Sequence, residues 1–153
     1  MSAPAADLAA RARAIVDANL YMALATADDA GEPWVSPVYF AHVGYRDLIW
    51  VSRPERRHSR NLAARDSVSI AIFDSSVPIG TGQAVYMTAN AREVAEDELE
   101  DLIGVFARRS VEHGGGPFTS AEVRAPEPLR LYRATASEVW ILDSGDNRVA
   151  VTL

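Results

Sequence analysis

The spacing of apolar and polar positions changes several times along the chain, and each change marks an element. From Ala5 to Asn19, Leu8, Ala12, Ile15 and Val16 fall close to helical spacing among polar residues, which predicts an amphipathic first helix. Leu20 to Ala27 and Trp34 to Val43 read as the strands of a hairpin around the turn-rich Asp28–Pro33. Gly44 to Asp47 turns the chain again into Leu48 to Ser52, a run rich in β-branched and aromatic residues. A short helix over Arg57 to Arg65, an alternating strand over Val68 to Phe73 and a Pro/Gly/Ser loop over Asp74 to Gly82 follow. Gln83 to Val94 is the longest expected strand, with Val85, Met87, Ala89 and Ala91 on one face. Glu96 to Ser110 carries Leu99, Leu102, Ile103 and Phe106 at helical spacing. Its acidic first turn and terminal Arg108-Arg109 suit the helix dipole. After a long loop over residues 111–128, Leu129 to Ala134 and Glu138 to Leu142 are two more strands, and Val149 to Leu153 is a candidate third.

No strand–helix–strand repeat runs through this order, which disfavours a parallel doubly wound sheet. The expected fold is mainly β, an antiparallel barrel of about six strands with flanking helices, formed by residues 1–153 as one domain. Closing such a sheet protects its strand edges.

Composition narrows the chemistry. The net charge of −6 and a pI near 5.0 work against nucleic acid, whose binding rests on neutralising phosphates. No apolar run approaches the ~18–20 residues of a membrane span. Met1 to Asn19 contains Asp7, Arg11, Arg13 and Asp17 and lacks an apolar core, so no secretory signal is expected and the cytoplasm is the expected compartment. The absence of cysteine removes thiol nucleophiles, Fe–S clusters and thiolate zinc sites. The absence of lysine removes a pyridoxal phosphate Schiff base and a Walker A loop.

One stretch reverses the sign of this acidic chain. Ser52-Arg53-Pro54-Glu55-Arg56-Arg57-His58-Ser59-Arg60 joins the Leu48 strand to the following helix. Hydroxyls, guanidinium groups and free backbone N–H groups at a helix start suit an anion, phosphate above all. The competing reading is a solvated basic loop. Elsewhere the signals are weak. His42, His58 and His113 are scattered without metal-ligand spacing. Gly80-Thr81-Gly82 lacks the third glycine and the following helix of a dinucleotide fingerprint. No acid–base constellation stands out and no catalytic side chain is assigned. An anion site without side-chain catalysts points to a cofactor that carries the chemistry while the protein positions it.

Together these segments resemble the pyridoxamine 5′-phosphate oxidase-like family, the flavin-binding split barrels. Trp34-Val35-Ser36-Pro37-Val38-Tyr39-Phe40 is similar to its second strand. Leu48–Ser52 with Arg57-His58-Ser59-Arg60-Asn61-Leu62 resembles its strand, basic pair and asparagine–leucine helix. Val68–Phe73, Gln83–Val94 and Glu138-Val139-Trp140 are similar to later strands. The resemblance implies that FMN is the cofactor of an oxidoreductase acting on a small molecule. Val51 and Ser52 would face the flavin or its phosphate, with Arg57 and His58 as the basic pair and Arg60 in the same cluster. Ser36, Pro37 and Val38 would offer backbone beside the ring, and Gln83 would stand near a cofactor-contacting glutamine. It also implies a homodimer with the cofactor at the interface, Trp140 reaching toward the partner's site.

Two departures stand out. His58 takes the place of the pair's usual lysine. Arg148-Val149-Ala150 keeps the oxidase's substrate-phosphate arginine, making Arg148 a candidate substrate contact, but loses its histidine. Oxidation of pyridoxamine phosphate itself is therefore disfavoured. A deazaflavin-dependent reductase and a non-catalytic flavin- or heme-binding protein are the alternatives.

Overall fold

A computed structural model describes residues 4–153. Helix α1 (Ala5–Ala18) is followed by strands β1 (Tyr21–Ala27), β2 (Pro33–Tyr39), β3 (Ala41–Val43) and β4 (Asp47–Ser52), then helix α2 (Arg57–Ala64). Strands β5 (Ser67–Phe73) and β6 (Ala84–Glu93), helix α3 (Glu96–Glu112), a short 3-10 helix (Ser120–Val123) and strands β7 (Arg130–Leu142) and β8 (Arg148–Ala150) complete the chain. None of the described helices is long and apolar enough to cross a membrane.

The strands form one antiparallel sheet in the order β2-β1-β5-β6-β7-β4-β3, with β8 beside β7. Both ends of this path belong to one stretch of chain, since β2 and β3 are separated only by Phe40. The expected strand Trp34–Val43 therefore bends at Phe40, one half pairing with β1 and the other with β4. This bend curls the sheet into a barrel. Counted as one, β2 and β3 leave six strands around it, as the alternating pattern predicts. Phe40 is fully buried at the bend, and its N–H donates to the Leu20 carbonyl at 3.2 Å.

Strand β7 explains the split. Arg130–Thr135 pairs with Asp47–Ser52 of β4, whereas Trp140–Leu142 pairs with Arg148–Ala150 of β8. The two segments expected here, Leu129–Ala134 and Glu138–Leu142, are thus one long strand. Its register against β6 shifts between Thr88 and Ala89, where Ser137 is the extra residue of a bulge. Periodicity breaks at such a residue, so the strand looks like two. The long loop is also more ordered than expected. Helix α3 runs to Glu112, and Thr119 with Glu122 forms a capping box for the 3-10 helix.

Two apolar clusters follow from strand alternation. Met22, Leu24, Trp50, Ile70, Ile72, Val85 and Met87 fill the barrel, and Leu8, Ala12 and Val16 of α1 join them. Outside it, Ile49 and Leu131 meet Leu99, Ile103 and Phe106 of α3. Arg133 reinforces that docking, with Nε 2.9 Å from Asp47 and a second bond to Glu98. The Arg109 guanidinium crosses to α1 and donates to the Asn19 carbonyl at 2.7 Å. Near the same helix end, Asp17 accepts from Tyr45 at 2.7 Å and lies 3.0 Å from His42.

Phe40→Ala is expected to cost about 3–5 kcal/mol in urea unfolding, as aromatic-to-alanine changes in cores do. Val111→Ala, exposed on α3, is the matched control and should stay within about 0.5 kcal/mol. Acid should weaken the fold through two carboxylates. Burial pushes Asp17 up, but its bonds to Tyr45 and His42 outweigh this and lower it from 3.8. Bonding to Arg133 and Arg92 lowers Glu98 from 4.5. A carboxyl depressed in the fold stabilises it above the unfolded value, and the contribution is lost as pH falls through the lower folded value. Urea midpoints taken from pH 5 to pH 3 should therefore fall less steeply in Asp17→Asn than in the wild type.

Candidate functional site

At the mouth of the barrel, polar side chains from three elements converge where α2 begins. The β1–β2 register sets Trp34, Ser36 and Val38 opposite Thr26, Leu24 and Met22, so all three turn to the barrel side of β2. Ser52 lies two residues beyond Trp50 on β4 and shares its inward face. His58, in the first turn of α2, bridges the strands. Its Nε2 lies 2.8 Å from Ser52 Oγ and its Nδ1 3.2 Å from Ser36 Oγ. The Trp34 indole N–H donates to Ser36 Oγ at 3.1 Å, and the Arg57 guanidinium sits 4.4 Å above the Trp34 ring.

The electrostatics are those of a donor-rich cluster into which no carboxylate bonds. Burial, followed by the neighbouring Arg56 charge, lowers the His58 pKa below its ordinary 6.5, so the ring is neutral at pH 7. No side chain caps the start of α2, which leaves first-turn N–H groups without a side-chain acceptor. Beneath the cluster, Asn61 donates to Thr26 Oγ1 at 3.0 Å and fixes α2 against β1. The helix thus stands on a buried polar bond, with its basic start facing outward. Among the described residues no group of three His, Asp or Glu side chains is arranged to hold a metal ion.

Strand β2 also borders a second feature, on the opposite side of the sheet. There Ala23, Ala25 and Ala71 form a flat floor, Tyr86 and Trp140 stand at its side, and Arg148 lies 4.2 Å above the Tyr86 ring. This open groove has a volume of about 410 Å3. Val35 at its rim is 62% exposed, and Phe73 and Tyr21 extend the same apolar face at 50% and 59%.

The expected site residues therefore separate into groups. Ser36, Ser52, Arg57 and His58 come together at the barrel mouth. Pro37 lies exposed on the outer face of β2, while Val38 turns into the barrel core. Val51 packs with the α3 cluster, away from Ser52, because neighbouring strand residues face opposite sides. Arg60 turns back along the loop and donates to the Glu55 carbonyl at 2.7 Å. Gln83 stands at the far end of β6 from the cluster, bonded to Arg11 of α1. Trp140 and Arg148 share the outer groove, across the sheet from Ser52 and His58.

Sequence reasoning missed Trp34 as a member of the polar cluster and Tyr86 as the platform for Arg148. Trp34 was detectable, because a tryptophan two residues before a serine on a strand shares its face. Tyr86 was not, since its neighbour comes from a strand more than fifty positions away.

A search of curated proteins finds no match for the chain. Solved structures match it at low identity, which establishes the fold alone. The heme storage protein HutZ from Vibrio cholerae is 21% identical with a TM-score of 0.68, covering 86% of this chain and 92% of its own. A heme binding protein from Mycobacterium smegmatis is 20% identical with a TM-score of 0.73, covering 99% of this chain and 60% of its own. PhzG from Burkholderia lata 383, solved with tetrahydrophenazine-1-carboxylic acid, is 19% identical with a TM-score of 0.61, covering 97% of this chain and 91% of its own. The family described as pyridoxamine 5′-phosphate oxidase matches residues 8–143, nearly the whole of the barrel and its helices, and the chain belongs to that family.

Proposed function

We propose that this chain is an FMN-dependent oxidoreductase acting on a small molecule, in which the cofactor's phosphate is held at the start of α2. The observation that carries this reading is the convergence of Ser52, His58 and Arg57 beside first-turn N–H groups that no side chain caps. Hydroxyl and guanidinium donors together with free helix N–H groups are the chemistry a phosphate ester requires. The described residues fit that group, since donors outnumber acceptors there and no carboxylate bonds into the cluster. FMN, when bound, supplies hydride transfer, and the chain's part is to bind, orient and shield it. A deazaflavin coenzyme would suit the same arginines.

Two protomers are part of this reading. The uncovered apolar face around Val35, Tyr86 and Trp140 suits a twofold partner, and a flavin ring would be enclosed where the barrels meet. In that arrangement Trp140 of each protomer borders the other's cofactor.

Heme storage or binding without catalysis is the second reading, supported by the names of two structural neighbours. Two of the three histidines are poorly placed to serve as an axial imidazole. His42 is engaged by Asp17 and the Tyr45 N–H, His58 by two serines, and His113 by the Arg109 carbonyl. His42 and His58, bonded at both ring nitrogens, would each have to surrender a bond to reach iron, whereas exposed His113 is bonded through Nδ1 and keeps Nε2 free.

Arg57→Ala should weaken FMN binding by roughly 1.5–3 kcal/mol, the worth of a charge-assisted hydrogen bond, or about ten- to a hundredfold in affinity. Titration by flavin fluorescence quenching reads this, with circular dichroism confirming an intact fold. Arg13→Ala, on α1, should change neither property. If wild type and Arg57→Ala bind FMN equally well, the arginines form only a solvated loop.

Light scattering at micromolar concentration should show a dimer. Val35→Glu, placing a charge on the apolar outer face, should shift it toward monomer and loosen FMN at the same time. A wild-type monomer that binds FMN fully would refute the shared-site arrangement.

A further inference from the structure

His58 is gripped by two hydroxyls, and a hydroxyl both donates and accepts. The Trp34 indole N–H is a donor only and occupies one lone pair of Ser36 Oγ. Two patterns satisfy both ring nitrogens of a neutral His58. In one, Trp34 donates to Ser36, the Ser36 O–H donates to Nδ1, and Nε2–H donates to Ser52. The free hydrogen is then that of Ser52. In the other, Nδ1–H donates to Ser36, Ser52 donates to Nε2, and the free hydrogen is that of Ser36. Ser36 and Ser52 are both half-buried, so burial does not separate the two patterns in the free protein. Ser52 stands at the end of β4 beside the uncapped start of α2. An anion held there accepts from the free Ser52 hydrogen of the first pattern, so anion binding selects that pattern.

A second proton on the ring keeps both serines in contact but turns the Ser36–Nδ1 bond around, leaving the Ser36 hydrogen without that acceptor. Nε2–H continues to donate to Ser52, and Nδ1–H now donates to Ser36, whose second lone pair becomes available once its own hydrogen rotates. The groups around the ring resist that charge. From α2 and its leading turn come Arg56 and Arg57. The Glu55 carboxylate lies 3.8 Å from Arg53, and β1, β2 and β4 offer only the neutral Thr26, Trp34, Ser36 and Ser52. On the β6 side, Arg92 and Glu93 face Ser59 and Arg60 and are paired with Glu98 and Arg130. Burial acts in the same direction. A dianion beside Ser52 would remove this opposition.

We propose that His58 takes up a proton from solvent when a phosphate monoester binds at Ser52 and Arg57, so that the ester meets a positive charge the ligand-free protein does not carry. The inference rests on reading the cluster as a phosphate site. It makes retention of the ester dependent on pH, through a residue standing where a lysine would be charged throughout.

Calorimetry on the full chain in two buffers of different ionisation enthalpy, near pH 7.5, counts the protons taken up. Nitrogen-15 shifts of the His58 ring report its protonation directly. With FMN, uptake should approach one proton per site, and affinity should rise by up to about tenfold per pH unit as pH falls from 8 toward 6.5. Below that range the ester's own second ionisation, near pH ~6, opposes the gain. Riboflavin, which lacks the phosphate, should bind without uptake. His58→Lys should bind FMN with no uptake and a flat profile from pH 8 to 6.5. FMN binding to wild type with no uptake and a singly protonated ring would overturn the inference while leaving the flavin reading intact. If wild type ignores FMN, the flavin reading falls and inorganic phosphate becomes the probe. Uptake with phosphate would then uphold the proton-coupled site, and its absence, or a failure to bind phosphate, would overturn it.

Discussion

A strand edge exposes a row of unpaired N–H and C=O groups, and this fold depends on how the chain removes two such edges at once. Residues Pro33–Val43 serve both ends of the sheet, β2 pairing with β1 and β3 pairing with β4, with Phe40 buried between them. Because one stretch closes the barrel, the positions of β1 and β4 are coupled. Ser36 on the first half of that stretch is brought opposite Ser52 on β4, and α2 is led across the opening between them. The polar cluster is thus a consequence of closure. It would not assemble on an open sheet with the same strands.

Strand β2 separates two environments by alternation alone. Trp34 and Ser36 turn to the basic, donor-rich mouth, while Val35 borders an apolar face with an aromatic wall. One side suits a compact anion, and the other suits a flat ring or a protein surface. The bulge at Ser137 allows one long β7 to support β4 near the mouth and β8 beside the groove. Arg148 reaches Tyr86 through that arrangement.

Charge is organised with arginine throughout. Arg133 fastens α3 to the barrel through Asp47 and Glu98, and Arg109 ties α3 to the end of α1. Planar guanidinium groups make several directed bonds in such places, and they stack on rings, as Arg57 does on Trp34 and Arg148 on Tyr86. His58 is the contrast. Half-buried and neutral, it organises hydroxyls where a lysine would bring a fixed charge.

The sequence by itself determined the elements that depend on local periodicity. It marked α1, α3, the alternating strands, the antiparallel class and the basic stretch at the start of α2, because side-chain spacing and helix-end charge are read within a few residues. It also carried enough of the order Ser36, Ser52, Arg57, His58 to resemble the family to which the chain belongs. Tertiary structure decided the rest. The bend at Phe40, the continuity of β7 through its bulge, the separation of Gln83 from the cluster and the pairing of Arg148 with Tyr86 all depend on which distant segments become neighbours. The same is true of His58. Its residue type is written in the chain, but its neutrality and its two serine partners arise only when β2, β4 and α2 meet, since burial and hydrogen bonding are properties of the assembled barrel.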